Sequence, residues 1–133
     1  MVQHPKLGEW QKKLQQLINV VDDYLEDKYK GRYRLHPARP RRGKTSSKTQ
    51  DGLFSITASF SLGYGSKFGR GYVVDVHLAT LDDVEKERIA EIEEEAFKIL
   101  KEKLPEYFPE REITVERDGK LIKIVGDLSL GEV

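Results

Sequence analysis

An apolar residue at every second position of residues 53–62, with mostly small polar residues between, is the feature that most narrows the possible folds. The even-numbered residues of this stretch are all apolar: Phe54, Ile56, Ala58, Phe60 and Leu62. Successive side chains of a strand point to opposite faces, so this period of two predicts a strand with one core face and one polar face. Residues 72–78 repeat the pattern, with Asp75 and His77 on the polar side. We therefore expect an antiparallel pair of one-faced strands.

Two longer stretches have the 3.6-residue period of amphipathic helices. Apolar residues recur at steps of three and four over residues 5–29, and again between residues 89 and 104. Such spacing places them on one helical face. We expect the second helix to begin at Thr80, with Asp83 as its capping-box partner, and to end before Pro105.

The order of these elements predicts the fold class. After the second helix, "EITVERDGKLIKIVG" reads as two strands joined by a turn at Asp118–Gly119, a strong hairpin signal. Helices and strands that are each apolar on one side imply an α+β two-layer sandwich of order α-β-β-α-β-β. We expect about four antiparallel strands with both helices on one face. A ferredoxin-like arrangement whose first strand has moved to the chain's end satisfies this order.

The length and composition of the chain limit the class of protein. The chain has 133 residues and no cysteine, which favours one domain over residues 1–133 and excludes disulfides and cysteine-ligated zinc. No apolar run is long enough to span a bilayer, and the first residues lack a signal peptide's apolar stretch, so we expect a cytoplasmic protein without membrane contact. Charged residues make up 35% of the chain and Asn19 is its only asparagine. That balance is typical of proteins adapted to heat.

The net charge of zero conceals a strong polarity along the chain. Residues 28–48 contain nine basic residues and no acidic one, whereas residues 82–116 contain 13 acidic and six basic residues. Binding of polyanions follows local patches of charge, so a neutral total does not exclude them as partners.

Residues 32–51, here called the basic loop, have no sustained period and contain two prolines and a glycine. Unstructured segments of this length in compact domains tend to be functional or disordered. We predict that cations of this loop contact phosphate groups: Arg39, Arg41, Arg42 and Lys44. The alternative is a solvated loop whose charge offsets the acidic second helix, within one chain or in a dimer.

The segment "GYGSKFGRGY" between the first two strands is glycine-rich, basic and aromatic. Glycines allow successive backbone N–H groups to surround an anion. We predict that Ser66, Lys67 and Arg70 bind a phosphate-bearing ligand and that Tyr64 and Phe68 stack on its rings. The alternative is a mobile hairpin loop.

Asp75 and His77 stand two apart on one predicted strand, so both side chains project from the same face. A carboxylate beside an imidazole is the pair that general acid–base catalysis or a metal site uses. The alternative is two exposed side chains on a polar sheet face. His36 is isolated in sequence and predicts nothing.

Together these features favour a small binding protein for a phosphate-bearing partner, most plausibly nucleic acid, with no cofactor and no metal. One alternative is a small enzyme that acts on an anionic substrate through an Asp75/His77 pair. Another is a homo-oligomeric scaffold held together by complementary charges.

Overall fold

The computed structural model describes residues 5–48, 50–62, 70–109 and 112–126. The elements are α1 (Pro5–Lys28), β1 (Phe54–Ser61), β2 (Gly71–Leu78), α2 (Lys86–Tyr107), β3 (Ile113–Asp118) and β4 (Leu121–Gly126). This is the predicted order, and the α+β sandwich is confirmed. Within those residues, neither helix combines the length and the apolar composition needed to cross a bilayer.

The four strands form one sheet in which every neighbouring pair is antiparallel, in the order β1-β2-β4-β3. β4 therefore lies between β2 and β3, which α2 connects. The same order results when the first strand of a ferredoxin-like fold is moved to the chain's end. The β3–β4 turn occupies Gly119 and Lys120, because Asp118 pairs directly with Leu121.

Both helices cover the same face of the sheet. The register aligns the inward-facing residues of all four strands, for example Ile56 with Val76, Val74 with Ile122 and Ile124 with Val115. These side chains pack with the apolar stripes of the helices in one core; its fully buried members include Leu17, Val21, Leu25, Ile92, Ala96 and Leu100. α1 contacts β1 and α2 contacts β3. The opposite face carries the polar side chains of β1, β2 and β3, whereas Lys123 and Val125 of β4 on that face are buried.

The predicted start of the second helix at Thr80 is wrong. The helix begins at Lys86, and the Thr80 hydroxyl instead donates to the carbonyl of Arg34 at 2.6 Å and accepts from the N–H of Asp82 at 3.0 Å. Thr80 also forms a β-bridge with Leu35. Because Thr80 bonds to residues of the basic loop and lies six residues before the helix begins, it does not cap the helix.

The predicted end of that helix before Pro105 is also wrong, since α2 continues to Tyr107. Proline disfavours the helical conformation in the residue before it and removes one backbone donor. Here Leu104 and Phe108 are buried on either side of it, and the N–H of Phe108 donates to the carbonyl of Leu104 at 3.0 Å. Burial of these two side chains holds the last turn in helical form.

Candidate functional site

The basic loop folds back onto the end of the sheet where β1 begins and β2 ends. The N–H of His36 donates to the carbonyl of Ala79 at 2.8 Å, and the N–H of Gly52 donates to that of Pro40 at 3.0 Å. Together with the Leu35–Thr80 bridge, these bonds fix both ends of the loop. The loop is therefore part of the folded domain and is not a free arm.

Arg42 fastens the loop to α1. Its guanidinium lies 2.8 Å from Asp22, 2.7 Å from Asp23 and 3.4 Å from Asp51. Lys48 reinforces the attachment through Asp23, at 2.7 Å. Arg42 was predicted to bind a ligand, and in the structure its charge is engaged by carboxylates of the chain itself.

Asp51 organises the interior of the loop. Its carboxylate is buried and accepts hydrogen bonds from the N–H groups of Gly43 and Thr45 and from the Thr45 hydroxyl, at 3.0–3.2 Å. Burial alone would raise the pKa of Asp51, but the bonds from Thr45 and Gly43, with the charge of Arg42, hold it below its ordinary value. The loop is thus wrapped around an anion that the chain supplies.

Arg39 has a different set of partners, because backbone carbonyls accept its hydrogen bonds. Its Nε donates to Gly52 at 3.0 Å, and one terminal nitrogen donates to Asp51 and Phe54 at 3.2 Å each. The N–H of Arg39 closes a turn onto the carbonyl of His36 at 2.8 Å, with Pro37 at the position that proline favours in such turns. This arrangement holds the 36–39 turn rigidly against the start of β1.

A cavity of about 450 Å³ opens between this turn and the end of β2. Its lining residues are His36, Ala38, Arg39, His77, Leu78, Ala79 and Thr80. They include two imidazoles and a guanidinium but no carboxylate. The Nδ1 atom of His36 accepts from the N–H of Ala38 at 3.0 Å, so the proton of a neutral imidazole sits on Nε2, a donor. The lining is suited to an anion.

Asp75 and His77 lie on the same face of β2, as predicted, but only one of them lines the cavity. Both side chains are exposed on the sheet face that the helices leave open, with Asp75 opposite Thr57 and His77 opposite Ser55. Only His77 lines the cavity. In the part of the chain that the structure describes, no three metal-ligating side chains converge, so the pair has no third ligand there.

Arg70 and the cavity lie at opposite ends of β2. Arg70 is exposed and directly precedes the strand, whereas His77 is next to its last residue. Seven residues of extended chain span roughly 23 Å. Ser66, Lys67, Tyr64 and Phe68 lie outside the described residues. Arg70 and the cavity are therefore separate sites.

The other basic residues between positions 28 and 48 either pair with acidic residues of the chain or remain exposed. Lys28 pairs with Glu95 at 2.7 Å and Arg34 with Asp82 at 2.8 Å. Arg41 and Lys44 are exposed and form no ion pair with another described residue. Of the predicted ligand cations in the basic loop, these two remain on the surface. His36 was missed, because nothing near it in sequence indicates that it lines the same cavity as His77.

The comparisons with known proteins extend over nearly the whole chain. Residues 5–126 match a protein family described as "Uncharacterised protein". The chain belongs to this family. It is similar to an uncharacterized protein of Borreliella burgdorferi, 38% identical over 121 residues, which cover 91% of this chain and 94% of the relative. No solved structure matches. The family description names no activity.

The Arg42 cluster should make stability depend on pH near neutrality. Asp22 is buried, and its Oδ1, although close to Arg42, has no hydrogen bond from a described residue. Burial raises the pKa of Asp22 to about 7; Arg42 opposes this rise, whereas Glu26 and Asp23 add to it.

A carboxyl whose pKa is higher in the folded state holds its proton there and stabilises the fold when protonated. That contribution is lost as pH rises through 7. Lowering the pH from 8 to 6 should add about 1.4 kcal/mol to the free energy of unfolding through this group. Urea titrations of Asp22→Asn should lack this increment, whereas Asp23→Asn, at an exposed partner of the same arginine, should retain it. Equal pH slopes in the parent and Asp22→Asn would contradict the assignment.

Proposed function

We propose that this protein binds a phosphate-bearing ligand in the cavity between the 36–39 turn and the end of β2. One observation carries the proposal: two imidazoles and a guanidinium line the cavity without a carboxylate. Phosphate oxygens are charged acceptors, so the imidazole N–H groups can donate to them, whereas Arg39, whose Nε and one terminal nitrogen already bond carbonyls, contributes positive charge. The volume of about 450 Å³ belongs to an open depression and not to an enclosed pocket, so it suits a ligand that stays partly in solvent.

The rigidity of the turn supports this proposal. Arg39 is bonded to three carbonyls, and the backbone of His36 is bonded to Ala79, so both are positioned before a ligand arrives. Prior ordering lowers the entropy that binding costs. Leu78 and Ala79 supply apolar surface against which the organic part of a ligand can pack.

A nucleic-acid strand presents the same phosphate groups, repeated along an extended chain. Arg41 and Lys44 follow Arg39 in the basic loop and are exposed, so they can contact further phosphates of a chain whose end occupies the cavity. In that case affinity falls with salt, since each neutralised phosphate releases counterions. A mononucleotide would not engage these two residues.

Calorimetric titration with inorganic phosphate, adenosine monophosphate and a single-stranded oligonucleotide tests the proposal and separates these forms. We expect His36→Ala and His77→Ala each to weaken every ligand that binds by about tenfold, which corresponds to one charge-assisted hydrogen bond. Arg41→Ala and Lys44→Ala should weaken only the oligonucleotide and flatten its salt dependence.

Thr57→Ala is the matched control, because Thr57 is exposed on the same sheet face but does not line the cavity. It should leave all affinities unchanged. The proposal fails if none of the three ligands binds, or if the histidine variants bind them as tightly as the parent protein does.

A further inference from the structure

The two histidines of the cavity differ in how their rings are held, and the turn of the basic loop holds His36 in its neutral form. Its Nδ1 atom accepts from the N–H of Ala38 at 3.0 Å, so a proton on Nδ1 would set two donors against each other. A hydrogen bond to the neutral form of a group opposes its protonation, and so does the positive charge of Arg39, which lines the same cavity. His36 therefore remains an uncharged donor through Nε2.

The ring of His77 is under no such restraint. Its side chain is exposed near the end of β2, and no other described residue bonds to its ring nitrogens. Imidazole is the side chain whose charge ordinarily changes between about pH 5 and pH 8. His77 can therefore gain a proton while it lines the cavity.

The charges around His77 nearly balance in the empty cavity. The charged and titratable groups nearest to it in the fold are Asp75 on β2, His36 and Arg39 in the basic loop, and Asp82 after β2. Ser55, opposite His77 on β1, is uncharged, and Asp82 is already paired with Arg34 at 2.8 Å. Asp75 favours a charged imidazole and Arg39 opposes it. A bound anion therefore adds the charge that favours protonation of His77.

From these observations we infer that pH regulates the site through His77: the cavity binds oxyanions more tightly as this ring gains a proton, whereas His36 donates unchanged. The inference rests on the proposed function, because it concerns the same cavity. Proton and anion each favour the binding of the other, since the two charges attract, and this coupling is reciprocal. Affinity for an anion therefore rises as the pH falls.

Sulfate is the probe that isolates the protein's contribution to this effect. It has the tetrahedral shape of phosphate and keeps the same charge from pH 8 to pH 5.5, whereas a phosphate monoester takes up a proton near pH 6. Calorimetric titration at low salt should show sulfate binding about tenfold more tightly at pH 5.5 than at pH 8, as one added charge in a solvent-exposed site allows.

Three variants assign the effect to one ring. His77→Gln keeps a neutral N–H donor, so it should match the parent at pH 8 within about twofold and lose the gain at pH 5.5. His36→Ala should weaken sulfate about tenfold at both pH values and keep the gain. Asp22→Asn is the control, because Asp22 also changes charge near pH 7 but does not line the cavity, and it should keep the gain.

Nitrogen-15 NMR of the imidazole rings tests the same assignment without a ligand. The chain has three histidines, and each ring signal is identified by its absence in the corresponding variant. Between pH 8 and pH 5.5, the ring of His77 should pass from the neutral to the charged form. The ring of His36 should stay neutral over this range, with its proton on Nε2.

The outcomes separate this inference from the proposed function. Sulfate that binds equally well at both pH values overturns the inference alone, as does a gain that His77→Gln retains. Parallel protonation of the two rings in the NMR titration also overturns it. Absence of sulfate and phosphate binding at both pH values overturns the proposed function, and the inference with it.

Discussion

Arg42→Ala should lower the free energy of unfolding by about 2–4 kcal/mol, one of the two largest effects that we expect in this chain. The arginine is shared by Asp22, Asp23 and Asp51, and the side chains of Asp22 and Asp51 are each only 2% exposed. Its loss leaves the buried Asp51 carboxylate without this cation, and it leaves the charge of Asp22 uncompensated unless that group takes up a proton. Removal of one member of a buried charge cluster costs more than the cluster itself contributes, because the remaining charges cannot return to water.

The matched controls are Arg41→Ala, in the adjacent residue, and Lys44→Ala, two residues further on. Both side chains are exposed and form no ion pair with another described residue, so each change should alter stability by less than about 0.5 kcal/mol. Urea unfolding monitored by circular dichroism gives all three values. If Arg42→Ala were as mild as the controls, the loop would not be attached to α1 through this cluster.

The same three variants distinguish structural from binding cations. In sequence, Arg41, Arg42 and Lys44 are equivalent members of one basic run. In the structure, Arg42 stabilises the loop, whereas the other two remain available to a polyanion. We therefore expect stability loss from Arg42→Ala and loss of oligonucleotide affinity, at unchanged stability, from the other two changes.

The fold could be predicted from the sequence because its determinants are periodic. The alternation in β1 and β2, the helical stripes and the turn after Asp118 each depend on neighbours a few residues apart. The errors at the ends of α2 arose where a distant contact decides the outcome. Thr80 satisfies a local capping pattern, but its hydroxyl bonds to a residue 46 positions earlier. Pro105 is a local stop signal that the burial of Leu104 and Phe108 overrides.

The site was less predictable for the same reason. His36 and His77 line one cavity only because the basic loop returns to the end of β2 through the bond from His36 to Ala79. No spacing in the chain encodes that placement. The basic composition indicated an anion partner, but part of that charge serves Asp22, Asp23, Asp51 and Asp82 of the chain itself. Composition cannot distinguish an internal partner from an external one.

Gly126→Ala should destabilise the protein by about 3 kcal/mol or more, through two causes that act together. Gly126 ends β4 opposite Ile113 with φ at +118°, a conformation that is nearly restricted to glycine. A Cβ at this position would also collide with the carbonyl oxygen of Glu112 and lie 3.0 Å from the Cα of Ile113. Both obstacles are backbone atoms, so no side-chain rotation relieves the contact.

Gly119→Ala separates the two causes. Gly119 also has a positive φ, +64°, but a Cβ there meets no atom within 4 Å, so only the conformational cost of about 1 kcal/mol should appear. Gly126 lies at the end of the sheet opposite the candidate cavity, because Ile124 pairs with Tyr72, near the start of β2. The folded fraction of Gly126→Ala should therefore bind phosphate ligands with the parent affinity. Equal losses of stability in the two glycine variants would show that the close contact with β3 contributes nothing.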